Sequence, residues 1–231
     1  MRCGTESEMD EIIDALDSMG GAPISTIAED VIFLDYFRRE VVPPIALHPS
    51  VAPDGTAVFK DAPPDNVGDM IRFLKRHNPK ADDFALQRMR NMLAGGINVP
   101  DWIMNRPAQT TFEFYEVKPA SRSGKQKGRE KIGKLEAAFG SDPALRHYSA
   151  GINYSRRGSS PALTILKGVM VTEVSIEWSP GSVPGLIIYT ICSESKLRAP
   201  KVSPEAAKNL ALAAAMLAAA ALAFGGSLVF N

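Results

Sequence analysis

Cysteine is nearly absent from this chain. Two in 231 residues, Cys3 and Cys192, allow at most one bridge, so no disulfide framework holds the fold. Histidine is almost as scarce. His48, His77 and His147 are scattered without metal-ligand spacing, which excludes a zinc site built on imidazoles and leaves each as structural or exposed. Net charge is absent too: 26 Lys+Arg balance 26 Asp+Glu, so no overall basic field steers the molecule to nucleic acid. The N-terminus, MRCGTESEMDEII, lacks the apolar core of a secretory leader. The expected compartment is therefore cytoplasmic, that of the producing cell or of a target cell. No phosphate-binding loop, nucleophile elbow, HExxH helix, dinucleotide fingerprint or zinc pattern occurs, and no internal repeat.

What remains is the composition of an ordinary globular protein, 45% hydrophobic and 23% charged, able to bury a sizeable core. The charges are unevenly placed. Residues 1–30 hold eight acids against one arginine, while residues 118–134 hold seven lysines and arginines against one acid.

The first half reads as helical. Ile12, Ile13, Leu16 and Met19 fall on one helical face within 8–19. Thr26 and Glu29 fit a capping box opening a helix to about Arg39. Residues 43–65, rich in Pro, Gly and Asp, read as loop. Helices are expected from Asn66 to His77 and over about 82–94, the latter ended by Gly95-Gly96. The pattern then turns to strands, at Ile97–Met104 and at 111–118, where TFEFYEVK alternates with period two. Ser123 and Gln126 suggest a second capping box, before a helix carrying Ile132, Leu135 and Phe139 and weakened by Gly128 and Gly133. Strands follow near 147–154, over 162–178 with a break at Gly168, and over 185–192. The order implies an α/β fold with a central mixed sheet flanked by helices. Its expected divisions are a helical N-terminal region, 1–65, a central domain, 66–195, and a basic linker with an apolar Ala-rich tail, 196–231.

The chemistry concentrates around strand 111–118. Period two puts Phe112, Phe114, Glu116 and Lys118 on one face, so a carboxylate and an ammonium project together. Asp101 lies on the preceding strand, ten residues away by a hairpin-type connection, and converges on Glu116 if the strands pair. Hard oxygen ligands of this kind suit Mg²⁺ or Mn²⁺, and a neighbouring lysine stabilises charge developing on a phosphoryl group. The acid-x-Lys triplet alone is at background: it occurs also at Glu194-Ser195-Lys196. Context separates the two, since only the first ends an alternating strand, follows a strand with Pro100-Asp101 and leads into a basic helix.

Pro100-Asp101, fourteen residues, then Glu116-Val117-Lys118 resembles the signature of the PD-(D/E)XK nuclease superfamily, with its restriction-endonuclease-like fold. The phrase VPDWIMN…FEFYEVKP is similar to branches found in transposon end-cleaving, VRR-type and polymorphic toxin nucleases. The resemblance spans about residues 82–155. It implies a core of one helix, a three-stranded meander, a helix and a further strand. It also implies Asp101, Glu116 and the Val117 carbonyl as metal ligands and Lys118 as catalytic lysine. An additional acid from the helix before the sheet would be Glu29, Asp82 or Asp83. Several branches carry a glutamine on the following helix; here Gln126 stands at its start and Lys131 more centrally, a departure from the pattern.

Arg122, Lys125, Lys127, Arg129, Lys131 and Lys134 follow the site at once and would bind phosphates without reading sequence. The expected function is a Mg²⁺- or Mn²⁺-dependent endonuclease acting on DNA, either an antibacterial toxin or effector or a mobile-element or defence nuclease. A delivered toxin would bring an immunity protein or chaperone as partner. Leu210–Phe230 carries no charge and is long enough to cross a bilayer, so the apolar C-terminal helix offers a membrane contact. The alternatives are a non-catalytic nucleic-acid-binding or assembly module, with the carboxylates paired to lysines, and a membrane-active protein working through 210–230.

Overall fold

The computed structural model describes residues 2–18, 22–41, 56–61, 66–106, 112–167 and 170–197. The apolar tail at 210–230 lies outside them. No helix among the described residues is long and apolar enough to cross a membrane.

In chain order the elements are β1 (Arg2–Cys3), α1 (Met9–Asp17), α2 (Ile24–Tyr36), β2 (Ala57–Lys60), α3 (Asn66–His77) and α4 (Asp83–Met92). Then come β3 (Trp102–Asn105), β4 (Phe112–Pro119), α5 (Arg122–Gly140), β5 (Tyr148–Ala150), β6 (Gly158–Ser159), β7 (Leu163–Lys167), β8 (Met170–Pro180) and β9 (Leu186–Leu197). The strands form one mixed, curled sheet along the path β2-β3-β4-β9-β8-β6, with β5 beside β4, β7 beside β8 and β1 beside β9. β4 is central. It pairs antiparallel with β3 through Trp102↔Tyr115, and parallel with β9 through Glu116↔Leu186.

Both faces of the β2-β3-β4-β9 part of the sheet are buried. Val58, Trp102, Met104, Tyr115, Val117, Ile187 and Tyr189 share a core with Met9, Leu16, Ala28, Ile32, Phe33 and Tyr36 of α1 and α2. The alternate residues Ala57, Phe59, Ile103, Phe114, Leu186 and Ile188 pack against Phe73, Leu86, Met89, Ile132, Leu135 and Phe139 of α3, α4 and α5. Period-two alternation of two apolar sets is what a sheet between helical layers requires. Each large side chain so buried contributes about 1.5–3 kcal/mol.

Three local expectations are corrected. Residues 43–65 are not all loop, because Ala57–Lys60 pairs with β3; its apolar run is too short to stand out among its Pro and Gly neighbours. Helix α2 begins at Ile24, two residues before Thr26, and its first N–H donates to the Asp17 carboxylate at 2.7 Å. That distant cap replaces the local box. The cap of α5 is Ser121, whose hydroxyl accepts from the Gly124 N–H at 3.0 Å. Ser123 instead donates to Asp10. Cys3 and Cys192 form the one disulfide that two cysteines allow, joining β1 to β9.

Candidate metal centre

The site lies where β3 stops and β4 runs on. The Asp101 N–H donates to the Tyr115 carbonyl at 3.0 Å, so the backbone groups of Tyr115 and, two residues later, Val117 face the β3 side. Pairing of β3 with β4 starts at Trp102. Val117 therefore projects its N–H and C=O past the end of β3. The Asp101 side chain takes the N–H, with Oδ2 accepting at 2.6 Å. That bond fixes the carboxylate and leaves Oδ1 for other partners. The Val117 carbonyl accepts from Lys118 Nζ at 2.9 Å.

Glu116 points to the other side of the strand from Val117, under α5. It is fully buried, and its N–H donates to the Gly185 carbonyl at 2.8 Å. Gly185 has φ +73°, and a Cβ there would lie 2.9 Å from the Phe114 carbonyl oxygen. A glycine is thus needed at the turn that seats Glu116. Two ammonium groups neutralise the carboxylate. Lys118 Nζ pairs with Oε1, and Lys131 Nζ lies 2.7 Å from Oε2. Lys131 also lies 3.8 Å from Asp101 Oδ1, so one cationic side chain bridges the two acids.

A close helix makes this possible. A Cβ on Gly128 would stand 2.5 Å from Leu186 Cδ1 and 3.1 Å from Lys118 Cγ. The glycine that weakens α5 as a helix is what lets it settle onto β4 and β9 and carry Lys131 to the acids.

Two more carboxylates border the group. Asp61, just after β2, donates its N–H to the Asp101 carbonyl at 2.9 Å. Its Oδ1 is buried with no hydrogen-bond partner among the described residues. Glu29 enters from α2 on the opposite helical layer and is half-buried. Of the three upstream acids named from sequence, only Glu29 approaches the site: Asp82 caps α4 at the Ala85 N–H, and Asp83 pairs with Lys75.

The acids disturb one another. Burial, with the Asp101 charge beside it, raises Glu116 to about 7. The same two causes raise Glu29 to about 8 and Asp61 to about 6. For Lys118, burial acts to lower the pKa, but the neighbouring Asp101 and Glu116 carboxylates outweigh it and hold the ammonium above its usual range. Desolvation penalises each charged carboxylate, and like charges add to that penalty. A divalent cation would relieve both.

The donor set fits such an ion. Two carboxylates and a main-chain carbonyl are hard oxygen donors, and the gap between Asp101 and Glu116 already accommodates a cationic nitrogen. Among the described residues no three of the four acids bring their oxygens within 4.8 Å of one another, so any ion held here would have the acid pair and the Val117 carbonyl as its candidate ligands. The cluster that does meet that distance, Cys3, Glu177 and Cys192, has its sulfurs bonded to each other and offers no thiolate.

The structure divides the basic residues assigned to phosphate. Lys131 faces inward to the acids, as no reading of the charge run alone could tell. Lys125 pairs with Glu6 at 2.9 Å. Arg122, Lys127, Arg129 and Lys134 are exposed and form no ion pair among the described residues. Gln126 bonds Glu130 on the helix surface, away from the site. His77 and His147 pack against Phe73 and Phe112 and take no part. Comparison with family models, with curated proteins and with solved structures returned no match.

Proposed function

We propose that this protein is a Mg²⁺- or Mn²⁺-dependent nuclease, acting on DNA through a restriction-endonuclease-like core. The observation that carries the reading is the convergence of Asp101, Glu116 and the Val117 carbonyl at the free end of β3, with Lys118 anchored between Glu116 and that carbonyl. Asp101, Glu116 and Val117 would hold the metal. When bound, such an ion supplies a Lewis acid for the phosphoryl oxygen and a more acidic water. The Asp101 carboxylate is oriented by the Val117 N–H, which limits its rotation. Lys118 keeps its proton in this acidic setting and presents positive charge to the negative charge that builds on phosphorus in the transition state. The exposed cations of α5 grip the backbone on either side without selecting bases. A toxin or effector, or a mobile-element or defence nuclease, is the setting in which such an activity would serve. The first would act in the cytoplasm of a target cell under the control of an immunity protein or chaperone.

A second reading has an observation in its favour. Glu116 is already neutralised by Lys118 and Lys131, as in a non-catalytic module that binds nucleic acid through α5 alone. Plasmid nicking separates the two. The nuclease cuts in Mg²⁺ and not in EDTA, and Glu116→Ala or Lys118→Ala lowers the rate at least about a hundredfold. A module that only binds does so equally with Mg²⁺, with EDTA and with either substitution.

A further inference from the structure

We propose that Lys131 is a tethered counter-ion that occupies the acid pair in the metal-free protein, is expelled when a divalent cation binds, and then joins the phosphate-binding row of α5. The inference rests on the metal-centre reading above and concerns how that centre is regulated.

Position is the first ground. The Lys131 ammonium lies 2.7 Å from Glu116 and 3.8 Å from Asp101, bridging the two carboxylates assigned to the metal. A buried carboxylate without a counter-charge is strongly unfavourable. Glu116 is fully buried, so the metal-free fold needs a cation there, and Lys131 provides one. A divalent ion and an ammonium cannot share the gap. Binding the ion therefore includes breaking the Lys131 pair, and the measured affinity is reduced by that cost.

The two lysines differ in how firmly they are held. Lys118 bonds the Val117 carbonyl as well as Glu116, and stands on the strand itself. Lys131 reaches in from a helix on a flexible four-carbon stem and makes ion pairs only among the described residues. Lys131 is the one able to leave.

The helix gives it somewhere to go. Lys127, Lys131 and Lys134 recur at four and three residues along α5, so they share one face, and Lys127 and Lys134 are exposed without partners among the described residues. An expelled Lys131 completes that row. Metal loading would then add one cation to the surface that meets the nucleic acid, coupling the two binding events.

The experiment is calorimetric titration of the metal-free full chain with Mn²⁺, comparing wild type, Lys131→Met and Lys131→Arg. The expected result is Mn²⁺ binding at least tenfold tighter in Lys131→Met and unchanged in Lys131→Arg. Equal or weaker binding in Lys131→Met, with wild type binding normally, overturns the inference and leaves the metal centre standing. Absence of Mn²⁺ binding in all three overturns both. Should Lys131→Met not fold, amine labelling of wild type read by mass spectrometry decides. Saturating Mn²⁺ should raise Lys131 modification several-fold while Lys118 stays protected, and unchanged or reduced labelling of Lys131 contradicts the proposal.

Discussion

Strand β4 carries two buried glutamates three residues apart, and their surroundings are opposite in kind. Glu113 is met by neutral donors: the Tyr115 hydroxyl at 2.7 Å, the Ile152 N–H at 2.9 Å, the Asn153 N–H at 3.2 Å and the Asn153 side-chain amide at 2.9 Å. Those donors are fixed by backbone and ring, and they pin the segment after β5 to the sheet. Glu116 is met by two lysines, with Asp101 beside it and Asp61 and Glu29 bordering the pair. Neutral fixed donors make a carboxylate a permanent structural joint. Exchangeable cations and excess negative charge make one a binding site. Burial alone does not distinguish them; the identity of the partners does.

The sharpest way to break this contrast is to neutralise each acid in turn. Glu116→Gln should lower Mg²⁺-dependent cleavage at least about a hundredfold while the chain stays folded, because Lys131 is able to turn to solvent and Lys118 keeps its bond to the Val117 carbonyl. Glu113→Gln should leave metal affinity unchanged and cost about 1–3 kcal/mol of stability, since the amide oxygen can serve the Ile152 and Asn153 donors but its NH₂ group then faces the Tyr115 hydroxyl, which loses its acceptor. Thermal melts paired with Mn²⁺ titration check both. Equal effects of the two on metal binding would erase the distinction.

A structural substitution should reach the site indirectly. Gly128→Ala places a methyl group against Leu186 and Lys118, so α5 must lift. Stability is expected to fall by about 1–3 kcal/mol from overpacking, with Mn²⁺ affinity changed as Lys131 withdraws from the acids. Gly133, where a Cβ meets nothing within 4 Å, is the control: Gly133→Ala should stabilise by about 0.5–1 kcal/mol.

The smallest effect is the dependence on pH. Glu29, Asp61 and Glu116 are all held above their ordinary values by burial and by neighbouring carboxylates, at about 8, 6 and 7. Each binds its proton more tightly in the folded chain than in the unfolded one. Their contribution is therefore fully present below the ordinary carboxylate range and is lost as pH rises through 6 to 8. Metal-free protein should melt at progressively lower temperature across that window. Mg²⁺ should reverse the slope, because metal binding displaces the protons. A melting temperature that does not vary over pH 5–8, with and without Mg²⁺, would mean the acids are not mutually frustrated.

Much of the site was legible in the sequence because it obeys short-range rules. Alternation over 112–118 places Glu116 and Lys118 on one face, and the brief connection back to Trp102 makes an antiparallel pair the natural closure, bringing Asp101 toward Glu116. The arrival of α5 was not legible in the same way. Helical phase puts Lys131 on a stripe with Lys127 and Lys134, but its reach into the acids depends on Gly128 lying against Leu186, a contact 58 residues away in sequence. Asp61 was hidden because Ala57–Lys60 is only four residues long and becomes a strand only by pairing with β3. Glu29 stood among three candidates, and the choice needed the tertiary position of α2.

The most direct test of the shared cation is anomalous diffraction from crystals of the full chain soaked in Mn²⁺. The account predicts one peak at about 2.0–2.6 Å from oxygens of Asp101 and Glu116 and the Val117 carbonyl, with the Lys131 side chain turned outward. A map with no peak there, and Lys131 still seated between the two carboxylates at saturating Mn²⁺, would contradict it.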